Sequence, residues 1–389
     1  MEDTFTKEST INVVDSIISS AIERSASDIH VESNPEGAKV RYRIDGVLYD
    51  QSPIEDSRKS QVISRIKVLS KINLSEKRIP QDGKFRIDAT GCNIDLRVST
   101  FPSIYGEKVV IRILDRSRTM TQLDALGFSE DMLTIFKELV ERPSGFVLVT
   151  GPTGSGKTTT LYAALSHLNS PEKNIITLED PVEYNLDGIT QGQIHPDAGF
   201  TFAKGIRAVL RQDPDIAMVG EIRDKETAQV AIEAALSGHE VFSTLHTNDA
   251  PGAIMRLMDM GIEPFLLNAA LTGILAQRLA RKICDNCRTE QDPTDQEKKV
   301  VDRLGLKVDK LFKGSGCDQC FNLGYKGRIG IFELLAMSCN LRSLIVETPR
   351  FDDIRSQAIL DGMKPMISDG ISKVKAGIIS LDELLRVVW

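Results

Sequence analysis

Residues 146–168 read FVLVTGPTGSGKTTTLYAALSHL, and this stretch decides the fold. Residues 146–150 are an apolar run of strand length, and residues 159–168 carry a helical pattern. Between them lies Gly151-Pro152-Thr153-Gly154-Ser155-Gly156-Lys157-Thr158, which fits G-x-x-x-x-G-K-S/T. Glycines let backbone N–H groups converge on phosphate oxygens. Lys157 adds positive charge at the β and γ phosphates, and the Thr158 hydroxyl suits Mg²⁺. Thr159, the next residue, is counted with the nucleotide contacts. A strand before and a helix after distinguish this loop from a chance glycine-rich turn.

Working outward, residues 174–178, 216–219 and 241–244 read as further short buried strands, with helical patterns between them. Such alternation predicts an α/β domain with a largely parallel sheet. A phosphate-binding loop needs acids on neighbouring strands to hold Mg²⁺ and to position water. One candidate strand ends in Glu179-Asp180-Pro181-Val182-Glu183, the other in Gly220-Glu221-Ile222-Arg223-Asp224. Gly220 stands where a second acid often precedes the glutamate, so a carboxylate from the Glu179–Glu183 group is expected to complete the set. His239 and His246 flank the strand after that. His246 follows its C-terminal end and suits sensing of a γ-phosphate, with a hydrogen-bonded core histidine as the competing reading.

Before this domain, residues 1–117 read as a small α+β domain. Val40, Tyr42 and Ile44 alternate with Lys39, Arg41, Arg43 and Asp45, and Asp45-Gly46 reads as a hairpin turn. Residues 118–127 are expected to be a linker. Arg97 lies on the polar side of one alternating strand. Arg112 interrupts an otherwise apolar one, where an arginine is costly unless paired or facing a ligand. Both are candidates to neutralise phosphate charge, with a salt bridge inside the domain as the alternative. Arg41, Arg43 and Arg86 read as a solvated face.

Residues 128–389 are expected to form the domain that carries the phosphate-binding loop, with an arm at 281–328 and C-terminal helices. The arm carries Cys284-x-x-Cys287 and Cys317-x-x-Cys320. Two such knuckles supply four thiolates for a tetrahedral Zn²⁺ with no open position, hence a structural site. A redox dithiol is the alternative. Cys92 and Cys339 read as ordinary buried residues, and Arg278, Arg281, Lys282 and Arg288 as a solvated basic face.

The chain has 389 residues, 48 Lys plus Arg against 55 Asp plus Glu, and only 5% aromatic residues. That balance speaks against a basic nucleic-acid coat or an extended base-stacking platform. The longest tempting apolar run, residues 264–277, is too short for a membrane span, and no secretory signal opens the chain. The cytosol is the expected location.

The ordered set GPTGSGKTT, ITLEDPVEY, RQDPDIAMVGEIRD and GHEVFSTLHTNDA resembles the secretion ATPases of type II secretion and type IV pilus systems. SASDIHVE, VRYRIDGVL, RIPQDGKF, LRVSTFPSIYGEKVVIRIL and the tail GMKPMISDGISKVKAGIISLDELLRVV are similar too. The resemblance implies a PAS-like domain ahead of a RecA-like P-loop ATPase domain, working as a homohexamer on an inner-membrane platform protein. It implies ATP, Mg²⁺ and Zn²⁺, no nucleic acid, and a cytoplasmic location, peripheral on the inner face of the membrane. By resemblance, Glu183 is the general base and Glu221 the Mg²⁺-binding glutamate. His239 and His246 match the family's histidine box, and Arg97 and Arg112 reach a nucleotide from the first domain. Glu179, Arg207 and Arg223 are further candidates near the phosphates. The cysteine arm, which retraction motors of the family lack, implies the export and extension branch. Export members carry a further docking domain, so this chain is expected to be a piece or a short variant. A RecA-like translocase or helicase is the rival function.

Overall fold

The computed structural model describes residues 9–89, 92–115, 122–305, 309–347 and 350–388. The chain divides into two compact units between Thr119 and Met120. Residues 118–121 of the expected linker lie outside the described residues, as does the Cys92 side chain.

The first unit runs α1 (Thr10–Glu23), β1 (Asp28–Asn34), β2 (Gly37–Ile44), β3 (Val47–Asp50), β4 (Ile54–Glu55), α2 (Asp56–Leu69), β5 (Gln81–Ala89), β6 (Cys92–Ser103) and β7 (Gly106–Asp115). Ser9 caps α1 by accepting from the Asn12 N–H, and Val13, Val14, Ile17, Ile18 and Ala21 bury one stripe. The strands form an antiparallel sheet in the order β3-β2-β1-β7-β6-β5, with β4 on β2. Ile29, Val31, Val40, Tyr42, Leu96, Val98, Val109 and Ile111 are buried. The alternate positions put charge on the opposite face.

Registers align that charge in one row. Arg43 faces Asp28, Asp28 faces Arg112, Arg112 faces Arg97, and Arg97 faces Lys84. The reading of Arg41 and Arg43 as merely solvated is corrected, while Arg86 stays exposed on the solvated face. Arg41 pairs with Glu32 at 2.7 Å, Arg43 with Asp28 at 3.7 Å and Arg86 with Asp95 at 2.7 Å. On the core side, Lys67 and Glu107 form a buried ion pair at 2.8 Å.

The second unit runs α3 (Glu130–Val140), β8 (Gly145–Thr150), α4 (Lys157–Leu168), β9 (Ile175–Glu179), β10 (Thr190–Gln193), α5 (Phe202–Val209), β11 (Ile216–Val219), α6 (Lys225–Leu236), β12 (Glu240–Leu245), α7 (Ala250–Asp259), α8 (Pro264–Ala270), β13 (Leu271–Ile283), β14 (Arg288–Gln291), α9 (Asp295–Arg303), β15 (Leu311–Gly314), β16 (Tyr325–Ala336), α10 (Cys339–Glu347), α11 (Phe351–Leu360), α12 (Met366–Lys375) and α13 (Leu381–Val388). Its main sheet has the order β10-β9-β11-β12-β8-β13-β16. All neighbours in it pair in parallel except β16, which runs antiparallel to β13.

Both faces of this sheet are covered, which is why its strands read as unbroken apolar runs. Val147, Val149, Met218 and Phe242 pack with Phe136, Leu161 and Leu165 of α3 and α4. Phe146, Leu148, Ala217 and Val241 pack on the other side with Ala228, Ile232 and Ile254 of α6 and α7. The apolar run 264–277 breaks into α8 and the first half of β13, so it is a core segment. Among the described residues, no helix is long and apolar enough to cross a membrane.

Candidate functional site

In a parallel sheet every strand delivers its C-terminal end to the same edge. Here that edge collects the phosphate-binding loop after β8, Glu221 after β11 and His246 after β12. Gly151 sits at φ 151°, and a Cβ there would stand 2.4 Å from the Gln277 carbonyl and 2.6 Å from Ser155 Oγ. Gly156, at φ 89°, would press a Cβ to 2.7 Å from Gln277 Nε2. The loop therefore lies directly on Gln277, a buried residue of β13 that accepts a hydrogen bond from Thr160 Oγ1 at 2.7 Å.

Lys157, the first residue of α4, donates to the Gly151 and Pro152 carbonyls at 2.8 and 3.1 Å. Burial pushes its ammonium down to about 8, with Arg278 adding to the effect and Glu221 opposing it. Ser155 Oγ is buried and makes no hydrogen bond among the described atoms. An orphaned hydroxyl inside a loop that admits only glycine at Gly151 and Gly156 fits a bound polyphosphate. Thr158 is exposed on the first turn of α4 and Thr159 is half-buried behind it.

Glu221 is held from two sides. Arg223 bonds one carboxylate oxygen and also approaches Asp180 at 3.9 Å, and His246 Nε2 lies 3.5 Å from the other oxygen. The loop beneath is fixed by the Thr244 hydroxyl on the Gly220 carbonyl at 2.7 Å and by the Ile222 N–H on the Thr244 carbonyl at 3.0 Å. Together these put a Mg²⁺-capable carboxylate and hydroxyl, a lysine and a histidine on one edge.

Other expected residues stand elsewhere. Glu179 is buried, and three side chains saturate it: Tyr162, Thr177 at 2.6 Å and Gln191 at 3.1 Å. It braces the protein rather than facing solvent. His239 precedes β12, at the opposite end from Thr150, roughly 17 Å of strand away by rise per residue. It bonds Ser237 and the Ala234 carbonyl, so one chain does not bring it to its own loop. Arg207 is turned to Glu226 at 2.8 Å. Glu183 is exposed, just past the end of β9, with its N–H directed at Tyr162 Oη.

In the first unit, Arg97 and Arg112 line a groove of about 630 Å³ with Asp82, Lys84, Ser99 and Val110. Arg112 meets Asp28 at 3.0 Å and is otherwise exposed. Arg112, Arg97 and Lys84 are consecutive in the row; Asp28 sits beside them in register and Asp82 also lines the groove, leaving three bases against two acids. The groove therefore suits an anion.

The four cysteines converge. Their sulfurs all lie within 4.8 Å of one another, with Cys284–Cys317, Cys287–Cys320 and Cys317–Cys320 at 3.9, 3.8 and 3.7 Å. A tetrahedral zinc thiolate at about 2.3 Å per bond separates its sulfurs by about 3.8 Å. A disulfide pair would approach to about 2 Å. Burial pushes the Cys287 thiol up, a cost that a bound cation would offset. The donor set fits Zn²⁺.

Three readings need correction. Cys339 is exposed at the start of α10, not buried. Arg281 is mostly buried, paired with Glu383 at 2.8 Å and stacked on the Tyr325 ring at 4.1 Å. Arg278 is half-buried and bonds Asn248, so neither is a solvated face. Gln277 escaped sequence reading because its segment looked only apolar and then basic.

Residues 4–386 match the family described as type II/IV secretion system protein. The chain belongs to this family. The type II secretion system ATPase E of Vibrio cholerae is 46% identical over 377 residues, 97% of this chain and 75% of that protein. The type IV pilus assembly ATPase PilB of Thermus thermophilus is 46% identical over 377 residues, 96% of this chain and 42% of that protein. Among solved structures, the pilus retraction motor PilT with bound ADP superposes with a TM-score of 0.62 at 27% identity, covering 96% of each chain.

Proposed function

We propose that this chain is a hexameric motor that spends ATP on type IV pilus assembly or type II protein secretion, moving an inner-membrane platform protein from the cytoplasmic side. It is an ATPase. The observation that carries this is the shared edge where the Lys157 loop, Glu221 and His246 meet. Lys157 and the loop amides bind the phosphates. Thr158 and Glu221 hold Mg²⁺, which supplies positive charge to the phosphate oxygens. Glu183 orients and deprotonates the attacking water, and His246 reports the state of the γ-phosphate to Glu221. Arg97 and Arg112, on a PAS-like first domain, neutralise phosphate charge on a neighbouring copy's nucleotide. Rigid-body closure then turns hydrolysis into movement. The cysteine arm holds Zn²⁺ as a structural staple and favours the export and extension branch.

Phosphate release from Mg-ATP tests this, with Lys157→Ala and with added DNA. The expected result is no turnover in Lys157→Ala and no response to DNA. Native turnover in Lys157→Ala would sink the catalytic reading, and strong stimulation by DNA would favour a translocase.

The buried lysine adds a pH signature. Free Lys157 loses its proton above about pH 8, whereas bound polyphosphate restores the charge. Nucleotide binding then takes up a proton. ADP affinity should fall about tenfold per pH unit between roughly pH 8 and pH 10. Calorimetry in buffers of different ionisation enthalpy reads that uptake, and an affinity flat across this window contradicts it.

A further inference from the structure

We infer that Tyr162 is a positioning residue for ATP hydrolysis, tying the loop that carries Glu183 to the helix that carries Lys157. The inference rests on the reading of Glu183 as the general base. Tyr162 is completely buried on α4, five residues after Lys157. Its phenol donates to Glu179 Oε2 and accepts from the Glu183 N–H at 3.4 Å and from Gln191 Nε2 at 3.3 Å.

The direction of these bonds is fixed by chemistry. The Glu183 and Gln191 N–H groups can only donate, so they take the phenol oxygen's lone pairs and its one proton goes to Glu179 Oε2. Thr177 at 2.6 Å and Gln191 at 3.1 Å hold the other Glu179 oxygen, so the carboxylate cannot turn away. Gln191 completes the clamp. Its two amide hydrogens are shared among Glu179, Tyr162 and the Tyr184 carbonyl at 3.2 Å, and its carbonyl accepts from the Leu186 N–H at 2.8 Å. The Tyr184 ring meets the Tyr162 ring edge-on, with centroids 4.7 Å apart.

Residues 183, 184 and 186 are thus pinned to one buried phenol and one amide, while the Glu183 side chain projects into solvent. Burial and then the Glu179 carboxylate push the phenol's pKa up, so it keeps its proton and serves as a strut, not a proton carrier. Any shift of α4 as the loop engages phosphate reaches Glu183 through this strut. A misplacement of about 1 Å in such a group costs on the order of a hundredfold in rate.

The test is full-chain Mg-ATP turnover, with kcat and KM resolved, for the native protein, Tyr162→Phe, Glu183→Gln and the double variant, beside fluorescent-ADP affinity. Tyr162→Phe should lower kcat about ten- to a hundredfold while KM and ADP affinity stay within about twofold. In the Glu183→Gln background the same change should alter kcat less than about twofold, because no carboxylate remains to be positioned. Native kcat in Tyr162→Phe, or an equal drop in both backgrounds, overturns the inference while leaving Glu183 in place. Native kcat in Glu183→Gln removes the reading beneath it instead. Gln191→Ala cuts the neighbouring anchors of the same loop, at Tyr184 and Leu186, and should show the same selective loss of kcat. It stands in should Tyr162→Phe fail to fold, and an unchanged kcat there overturns the inference too.

Discussion

Glu183→Gln should hydrolyse ATP about 10²- to 10⁴-fold more slowly than the native chain and bind nucleotide equally well. The amide keeps the size of the side chain and its exposed position beyond β9, but it cannot take a proton from water. The hydrogen bond from the Glu183 N–H to Tyr162 is untouched, so the loop should hold its shape. The proposed phosphate contacts, Lys157, Ser155 and the glycines, lie on another element, so affinity should not change. A steady-state kcat beside a fluorescent-ADP titration separates the two effects. A kcat within about twofold of native would move the general base elsewhere, with Glu221 the next carboxylate on the same edge.

Cys287→Ser should have the largest effect on the arm. Structural zinc sites contribute about 10–16 kcal/mol in small zinc-finger peptides at neutral pH, so removing one thiolate removes much of what holds this segment. The packed group within the cluster is the cysteines themselves, Cys284, Cys287 and Cys320 with Cys317 beside them. Metal analysis should find one zinc per native chain and markedly less in the variant. Limited proteolysis should then cut between β13 and β16. Nucleotide binding should survive, because Gln277 under the loop is fixed by pairing of β13 with β8 and by Thr160. A native chain that carries no zinc, or a variant as protease-resistant as native, would contradict this.

Much of the sheet was legible because burial on both faces leaves a plain mark. Phe146–Thr150, Ile216–Val219 and Val241–Thr244 are short apolar runs ending in chemistry-bearing residues, and the strands follow them closely. β13 was not legible. Its first half is buried like a helix core and its second half is basic, so neither period shows. The four cysteines declared themselves by spacing alone.

Side chains whose meaning depends on tertiary partners were misread. Glu179 and Glu183 sit on one motif, yet Tyr162, Thr177 and Gln191, distant in sequence or hidden by ordinary composition, take Glu179 into the interior. His239 and His246 stand at the two ends of β12, and parallel pairing with β8 puts only the His246 end beside the loop. Arg281 reads as basic surface until Glu383, 102 residues on, is brought beside it.

The most direct measurement is Mg-ATP turnover per chain from dilute to concentrated protein, with sizing at each concentration. A ring motor whose arginines act on a neighbour's nucleotide predicts a rate per chain that climbs as chains associate and levels off once rings form. An appreciable rate that stays constant where sizing shows single chains would contradict it.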